Sequence, residues 1–323
     1  MAAAAPLGDC VNALKSAASL ALLLFVALPA RPATYFVTVA GLGGEPDYEQ
    51  RFTAAATDLD HILKSSGSEA HVYTLTGVNS TRQRIQDTLG QITRDAKPED
   101  DFVMILIGHG SFDGVEYKFN LPGPDVSASE LATWCDRIPA KRQLIVNTTS
   151  ASGGSIAALD RPGRAVIAAT KTGTEKNATV FARYWVEALR DPTSDVNKND
   201  AISAIEAFDY ASAKIAAYYD SGKRLATEHA VFEDTGKHES VRAASTETGE
   251  GLFLSNFTLV RIGSAQKAFA DPAKRDLLAK KEELEQKIDA LKYQKAAMAP
   301  NDYQQQLTQA LVELAHVQQE IDK

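Results

Sequence analysis

Six consecutive apolar residues, Phe102-Val103-Met104-Ile105-Leu106-Ile107, stand between Asp100-Asp101 and Gly108. A strand that is apolar at every position has no side to give to water, so both of its faces must be covered. Its neighbours supply the cover. Thr34 to Ala40 and His71 to Leu75 are β-branched and aromatic, while Gln143 to Thr148 and Ala165 to Thr170 are further short apolar runs. Between them, Phe52, Ala55, Ala56, Leu59, Ile62 and Leu63 recur at helical spacing, as do Ile85, Leu89 and Ile92. Ser80 or Thr81 can cap the second of these helices, Ser127 with Glu130 forms a capping box before Leu131 and Trp134, and a further helix is expected from about Lys176 to Leu189. Strand–helix alternation around fully apolar strands predicts an α/β fold, a three-layer sandwich with a mainly parallel sheet. Leu252 to Ile262 reads as a last strand at the sheet edge, and Gly222 to Gly251 as a loop.

The last fifty or so residues follow another rule. After Pro272, Leu277, Leu284, Leu291 and Met298 recur in heptad spacing within a Lys/Glu-rich stretch. Pro300 interrupts the pattern, and Asn301 with Gln304 can cap a second helix carrying Leu307, Leu311, Leu314, Val317 and Ile321. The expectation is a C-terminal antiparallel helical hairpin of coiled-coil character over residues 266–323. Packing on its own domain or on a neighbour is the simpler role for it, and a dedicated partner-binding arm the other.

At the opposite end, Lys15 precedes the apolar run Ala17 to Ala30, which ends in Ala30-Arg31-Pro32-Ala33. A membrane span takes about 20 apolar residues, so this run is short. A basic residue, a short apolar stretch and a small-x-small end read as a secretory signal over residues 1–33, cleaved near Ala33. That predicts a periplasmic or secreted protein with no stable membrane span, the alternative being an uncleaved N-terminal anchor helix. The body of the protein is then residues 34–265.

Charge narrows the partners. The chain has 34 Lys and Arg against 42 Asp and Glu, a net charge of −8 over 323 residues. Binding to nucleic acid needs clustered cations that this balance does not suggest. Two cysteines, Cys10 and Cys135, make neither a disulfide framework nor a zinc site, and Cys10 falls in the segment expected to be removed. No organic cofactor is expected: Gly41-Leu42-Gly43-Gly44 lacks the third glycine of a dinucleotide loop, and Pro46 falls where its helix would begin.

In open α/β sheets ligands bind beyond the carboxyl ends of the strands. Two such ends carry chemistry here: Gly108-His109-Gly110-Ser111 and Thr149-Ser150-Ala151-Ser152-Gly153-Gly154-Ser155. If their strands are neighbours, His109 meets the hydroxyl cluster at one edge. A histidine between glycines suits a general base, and Ser150 is a potential nucleophile if a base and an oxyanion site lie within reach. Gly110, Thr149, Ser152 and Gly153 would line that cleft, with the Gly110 and Gly153 amides as oxyanion donors. No Gly-x-Ser-x-Gly elbow is present, so an ordinary α/β-hydrolase is unsupported.

Taken in order, Val39-Ala40-Gly41 with Asp47-Tyr48, then Ile107-Gly108-His109-Gly110, then Thr148-Thr149-Ser150-Ala151-Ser152-Gly153 resemble the three motifs of the caspase/legumain (haemoglobinase-type) cysteine peptidases, the legumain-like branch most closely. The resemblance spans roughly Thr34 to Phe208 and implies a caspase-like fold with a peptide cleft at His109. It also implies that Ser150 stands where the family has its catalytic cysteine. A serine hydroxyl lacks the ready ionisation of a thiol, and no third carboxylate is evident from spacing. Glu49 stands where the family has its pocket arginine, with Arg51 two residues on, so substrate preference does not carry over. Cys135 reads as a buried small apolar residue. Three functions stay open: an inactive or weakly active homologue that binds peptide or protein, a serine-variant hydrolase using Ser150 and His109, and a scaffold acting through the hairpin.

A second pattern is independent of the first. Asp195, Asn197, Asn199, Ala201, Ser203 and Glu206 fall at positions one, three, five, seven, nine and twelve of an EF-hand loop, with Asp200 where glycine is usual. The spacing predicts a weak calcium site. An Asp/Asn-rich turn that caps a helix is the simpler alternative. Glu228 and His229 could pair, although no spacing assigns them a role.

Overall fold

The computed structural model describes Met1 and residues 32–66 and 69–323. The signal expected over residues 1–33, with Cys10, therefore lies almost wholly outside the described residues. Pro32–Lys323 forms one compact unit.

The central sheet has the order β10-β8-β7-β3-β1-β2. Its strands are β1 (Thr34–Ala40), β2 (Ala70–Leu75), β3 (Asp101–Ile107), β7 (Arg142–Asn147), β8 (Arg164–Ala168) and β10 (Val231–Glu233). All neighbours are parallel except β10, which runs antiparallel to β8. The apolar run of β3 lies inside the sheet between β1 and β7, and its side chains divide by the two-residue period. Val103, Ile105 and Ile107 meet a layer containing α1 (Pro46–Ser65), α5 (Phe181–Ala188) and α6 (Ala204–Ser221). Phe102, Met104 and Leu106 meet a layer containing α2 (Arg82–Asp95), α3 (Ala128–Cys135) and α4 (Ile156–Leu159). The expected three-layer sandwich is present, and β3 is buried on both sides because each face has a helical layer.

The caps expected at two helices form. Thr81 accepts from the Arg84 amide, and Ser127 and Glu130 make a reciprocal capping box. Pro46, expected to obstruct a helix start, instead occupies the first turn of α1, where a missing N–H costs nothing.

Two smaller sheets sit beside the main one. β4 (Gly110–Phe112), β5 (Tyr117–Phe119) and β6 (Val126–Ser127) form an antiparallel flap that follows His109. β9 (Ala201–Ser203) pairs with β11 (Thr258–Arg261). The segment expected as one edge strand over 252–262 is thus a short helix, α7 (Leu252–Ser255), followed by β11 in a separate sheet. The true edge strand, β10, lies in the stretch expected to be a loop. Its three residues are too few for a sequence periodicity to register.

The chain ends in α8 (Gly263–Ala270), α9 (Arg275–Gln294) and α10 (Pro300–Ile321), the last two forming the expected hairpin. Pro300 opens α10 rather than preceding it, and Ala299 takes the N-cap position expected of Asn301. The hairpin is docked on the body. Arg261 holds Glu282 through two nitrogens at 2.6 and 2.9 Å, and the Tyr293 hydroxyl donates to the Glu250 carbonyl at 3.1 Å.

Candidate functional site

Because β3 and β7 are parallel neighbours in register from Asp101↔Arg142 to Leu106↔Asn147, the segments that leave their carboxyl ends meet. His109 and Ser150 therefore share one edge of the sheet, as their positions in sequence predict. What they contact there differs.

The His109 ring lies edge-on between Tyr48 and Phe52 of α1, with centroids 4.6 and 5.2 Å away. Burial against these rings holds its pKa below the ordinary histidine value, while the Gly43 carbonyl acts in the opposite direction. Burial thus favours the neutral imidazole, the form that can accept a proton.

Ser150 is only 4% exposed. Its hydroxyl accepts from the Gly110 N–H at 3.1 Å and donates to the Gly110 carbonyl at 3.0 Å. Gly110 permits this approach, since a Cβ there would lie 2.6 Å from the Ser150 carbonyl oxygen and 2.5 Å from the Tyr117 ring. Among the described residues, Ser150 and His109 share no hydrogen bond.

The rest of the hydroxyl cluster is bound internally as well. Thr149 shares a 2.6 Å bond with the Tyr117 hydroxyl and donates to Asn147 at 2.8 Å. Ser152 accepts from the Thr170 amide at 3.0 Å, and the Gly153 amide donates to the Thr170 hydroxyl at 2.9 Å. Ser155 accepts from Asn147 and donates to the Ser152 carbonyl. Both amides expected to serve as oxyanion donors, those of Gly110 and Gly153, are therefore already engaged. Phe112 of β4 closes the outer side of the turn. Its ring lies where a Cβ on Gly154 or Gly173 would come within 2.7 or 2.4 Å of it.

Tyr48 and Phe52, the rings that pack on His109, also line open space. A pocket of about 590 Å³ runs between α1 and α5, lined by Tyr48, Phe52, Ile107, Thr179 and Val180, with Arg51 and Arg183 among its polar residues. Glu49 turns back to accept from the Gly43 amide at 3.0 Å.

Sequence spacing gives no sign of the loop after β8, which braces this edge. The Ala151 amide donates to the Glu175 carbonyl at 2.8 Å, and Thr179 donates to the Thr148 carbonyl at 2.5 Å. The Glu175 carboxylate holds His229 through Nδ1 at 2.6 Å and the backbone amide at 3.1 Å. Glu228 does not pair with His229. It turns inward, accepts from the Val180 amide and the Tyr219 hydroxyl, and is pushed up to about 7 by burial. Glu228 and His229 thus reach the cleft loop, whereas His238 is bonded to Asp160 just before β8, at the opposite end of the sheet. Cys135 is buried in α3, and burial pushes its thiol up to about 11.

The EF-hand-like loop is set against α9. Asp195 accepts from the Asn199 and Asp200 amides, Asn197 from the Asn199 amide, and Asn199 from the Ala201 amide. Glu206 accepts from the Val196 and Asn197 amides, and it closes a capping box with Ser203 at the start of α6. Lysine ammonium groups reach the loop too: Lys198 bonds to the Asp195 carbonyl, and Lys281, 6% exposed, to the Asn199 carbonyl at 2.7 Å. Among the described residues, no group of three or more His, Cys, Asp or Glu is arranged to hold a metal ion. Nor is any described helix long and apolar enough to cross a membrane.

Among solved structures, the chain is similar to a Geobacter sulfurreducens protein at 12% identity and a TM-score of 0.44, over 65% of this chain and 94% of that one. It is similar to the Drosophila initiator caspase Dronc at 12% identity and a TM-score of 0.40, over 65% and 82%. Caspase-1 from Spodoptera frugiperda is similar at 14% identity and a TM-score of 0.42, over 63% and 88%. No family model matches the chain, and no curated protein does.

Proposed function

We propose that this chain is an exported, peptidase-like protein that binds a peptide or protein segment at its strand-end cleft and does not cleave it. One observation carries the reading: the single hydroxyl proton of Ser150 is given to the Gly110 carbonyl, and the amide that would serve an oxyanion is given to Ser150. A serine nucleophile must pass its proton to a base in the transition state, and an oxyanion site must offer free donors. The pocket lined by Tyr48 and Phe52, the rings packed on His109, gives a ligand side chain a place to enter. The ordered motifs around His109 and Ser150, which resemble those of caspase/legumain peptidases, support a peptide as the ligand class.

Fluorophosphonate labelling of the wild type beside Ser150→Ala and His109→Ala tests the chemical half. No labelling is expected, and labelling lost in both variants would establish the serine-hydrolase alternative instead. Ala55→Trp, which fills the pocket, tests the binding half. It is expected to abolish retention of the peptide-library fraction that the wild type holds, and equal retention by both would count against the cleft.

A further inference from the structure

The two edges of the central sheet are finished differently. At one, Val241 closes the outer side of β10: its N–H donates to the Phe232 carbonyl at 2.8 Å, and its carbonyl accepts from the Phe232 N–H at 2.9 Å. At the other, β2 is twice as long, and among the described residues no backbone group pairs with its outer side. The direction of each group along β2 follows from a single bond. The Thr34 N–H donates to the Glu69 carbonyl at 2.9 Å while Thr34 stands opposite Ala70. In a parallel ladder this turns the N–H and C=O of His71 and Tyr73 toward β1, and those of Ala70, Val72 and Thr74 outward.

Edge strands normally carry a guard against pairing: a lysine, a proline, a bulge or simple shortness. β2, Ala-His-Val-Tyr-Thr-Leu, has no lysine or proline, and its register with β1 is unbroken from Thr34↔Ala70 to Val39↔Leu75. It also holds no Asp, Glu or Arg in a chain of net charge −8, so two such strands meet without like charges opposite each other. Val78, just past its end, is 86% exposed.

We propose that two copies of this chain pair antiparallel through their β2 edges, about a two-fold axis at Val72, so that the sheet runs on from one copy into the other. Only this register lets every outward group find its counterpart. Val72 exchanges N–H and C=O with Val72 of the second copy, and Ala70 does so with Thr74. His71 then faces Tyr73 of the second copy at a non-hydrogen-bonded position, where side chains approach closely. The His71 ring is already held in place by stacking on Tyr35 at 4.6 Å. Val72 packs into the layer that contains α1, so the axis also brings the two α1 layers side by side.

Light scattering on the purified full chain is expected to give twice the chain mass. Val72→Pro is expected to halve it without changing the far-ultraviolet circular dichroism, because the Val72 N–H takes no part in the β1 ladder. Val72→Cys is expected to form a disulfide-linked dimer on oxidation that the wild type does not, since the paired Cα atoms would stand about 5.5 Å apart, within disulfide reach. If Val72→Pro fails to fold, the cross-link decides. A single-chain mass across the micromolar range would overturn the proposal. So would a dimer that survives Val72→Pro and resists the cross-link, which would put the interface elsewhere, for example on the exposed Leu311 and Val312 of α10.

Discussion

A hydroxyl carries one proton, and at Ser150 that proton goes to a backbone carbonyl. The same oxygen satisfies the Gly110 amide, so this side chain does for β4 what a neighbouring strand would do. Its removal is therefore a structural event. Ser150→Ala leaves a donor and an acceptor of Gly110 without partners, and an unmade buried hydrogen bond costs about 1–3 kcal/mol. Urea unfolding of the variant should show a loss of that size. A serine retained only as a nucleophile would behave like other substitutions away from structural features, within about 0.5 kcal/mol of wild type. A variant as stable as the wild type would sink the structural reading of Ser150.

At the scale of elements, what could be read from sequence depended on length and repetition. The buried strands, the amphipathic α1 and α2 and the heptads of α9 declare themselves through periods that recur several times. β10 has three residues, too short to show a period, and β11, which falls within the strand expected over 252–262, joins β9 rather than the main sheet through tertiary pairing. The strand-end site was half legible. Its location follows from sheet topology, but the commitment of each hydroxyl to a neighbour does not, because partners such as Gly110, Tyr117 and Thr170 are brought to the turn by tertiary packing and carry no motif that marks them.

At the Asp195–Glu206 loop the spacing is that of a cation site, and Lys281, which no local spacing announces, approaches from 75 residues downstream of Glu206. With the Lys281 ammonium on the Asn199 carbonyl and the carboxylates on backbone amides, the loop serves as the turn that caps α6 and docks α9. Thermal unfolding should then be the same in calcium and in chelator, and Lys281→Met should lower the midpoint in both. A midpoint raised by calcium in the wild type would establish the cation-site reading instead.

At the scale of the molecule, body and hairpin belong to one compact unit, so a penalty at either place bears on the stability of the whole. Among the described carboxyls that burial raises, Glu228 and Glu285 are shifted far enough to carry such a penalty to neutral pH. Glu228 is 2% exposed under the start of α5, with one carboxylate oxygen lacking any partner among the described residues. Glu285 of α9 faces the Asp195 loop, where burial outweighs the Lys281 ammonium 3.7 Å away. Burial pushes each from 4.5 up to about 7. The folded state therefore holds these protons more tightly than the unfolded chain does. The stability they contribute is complete below pH 4.5 and is lost as pH rises to about 7. For Glu228 the loss is on the order of 3 kcal/mol, from 1.36 kcal/mol per pKa unit. Glu228→Gln keeps an acceptor for the Val180 amide but carries no proton to lose. Its unfolding free energy should therefore decline less steeply than that of the wild type between pH 4.5 and 7, leaving it the more stable of the two at pH 8. Glu285→Gln should show the same difference, with the two effects adding because the sites share no contact. Parallel pH profiles for Glu228→Gln and wild type would mean that the Glu228 carboxyl is ionised at neutral pH, with its orphan oxygen reaching a donor that the static fold does not provide.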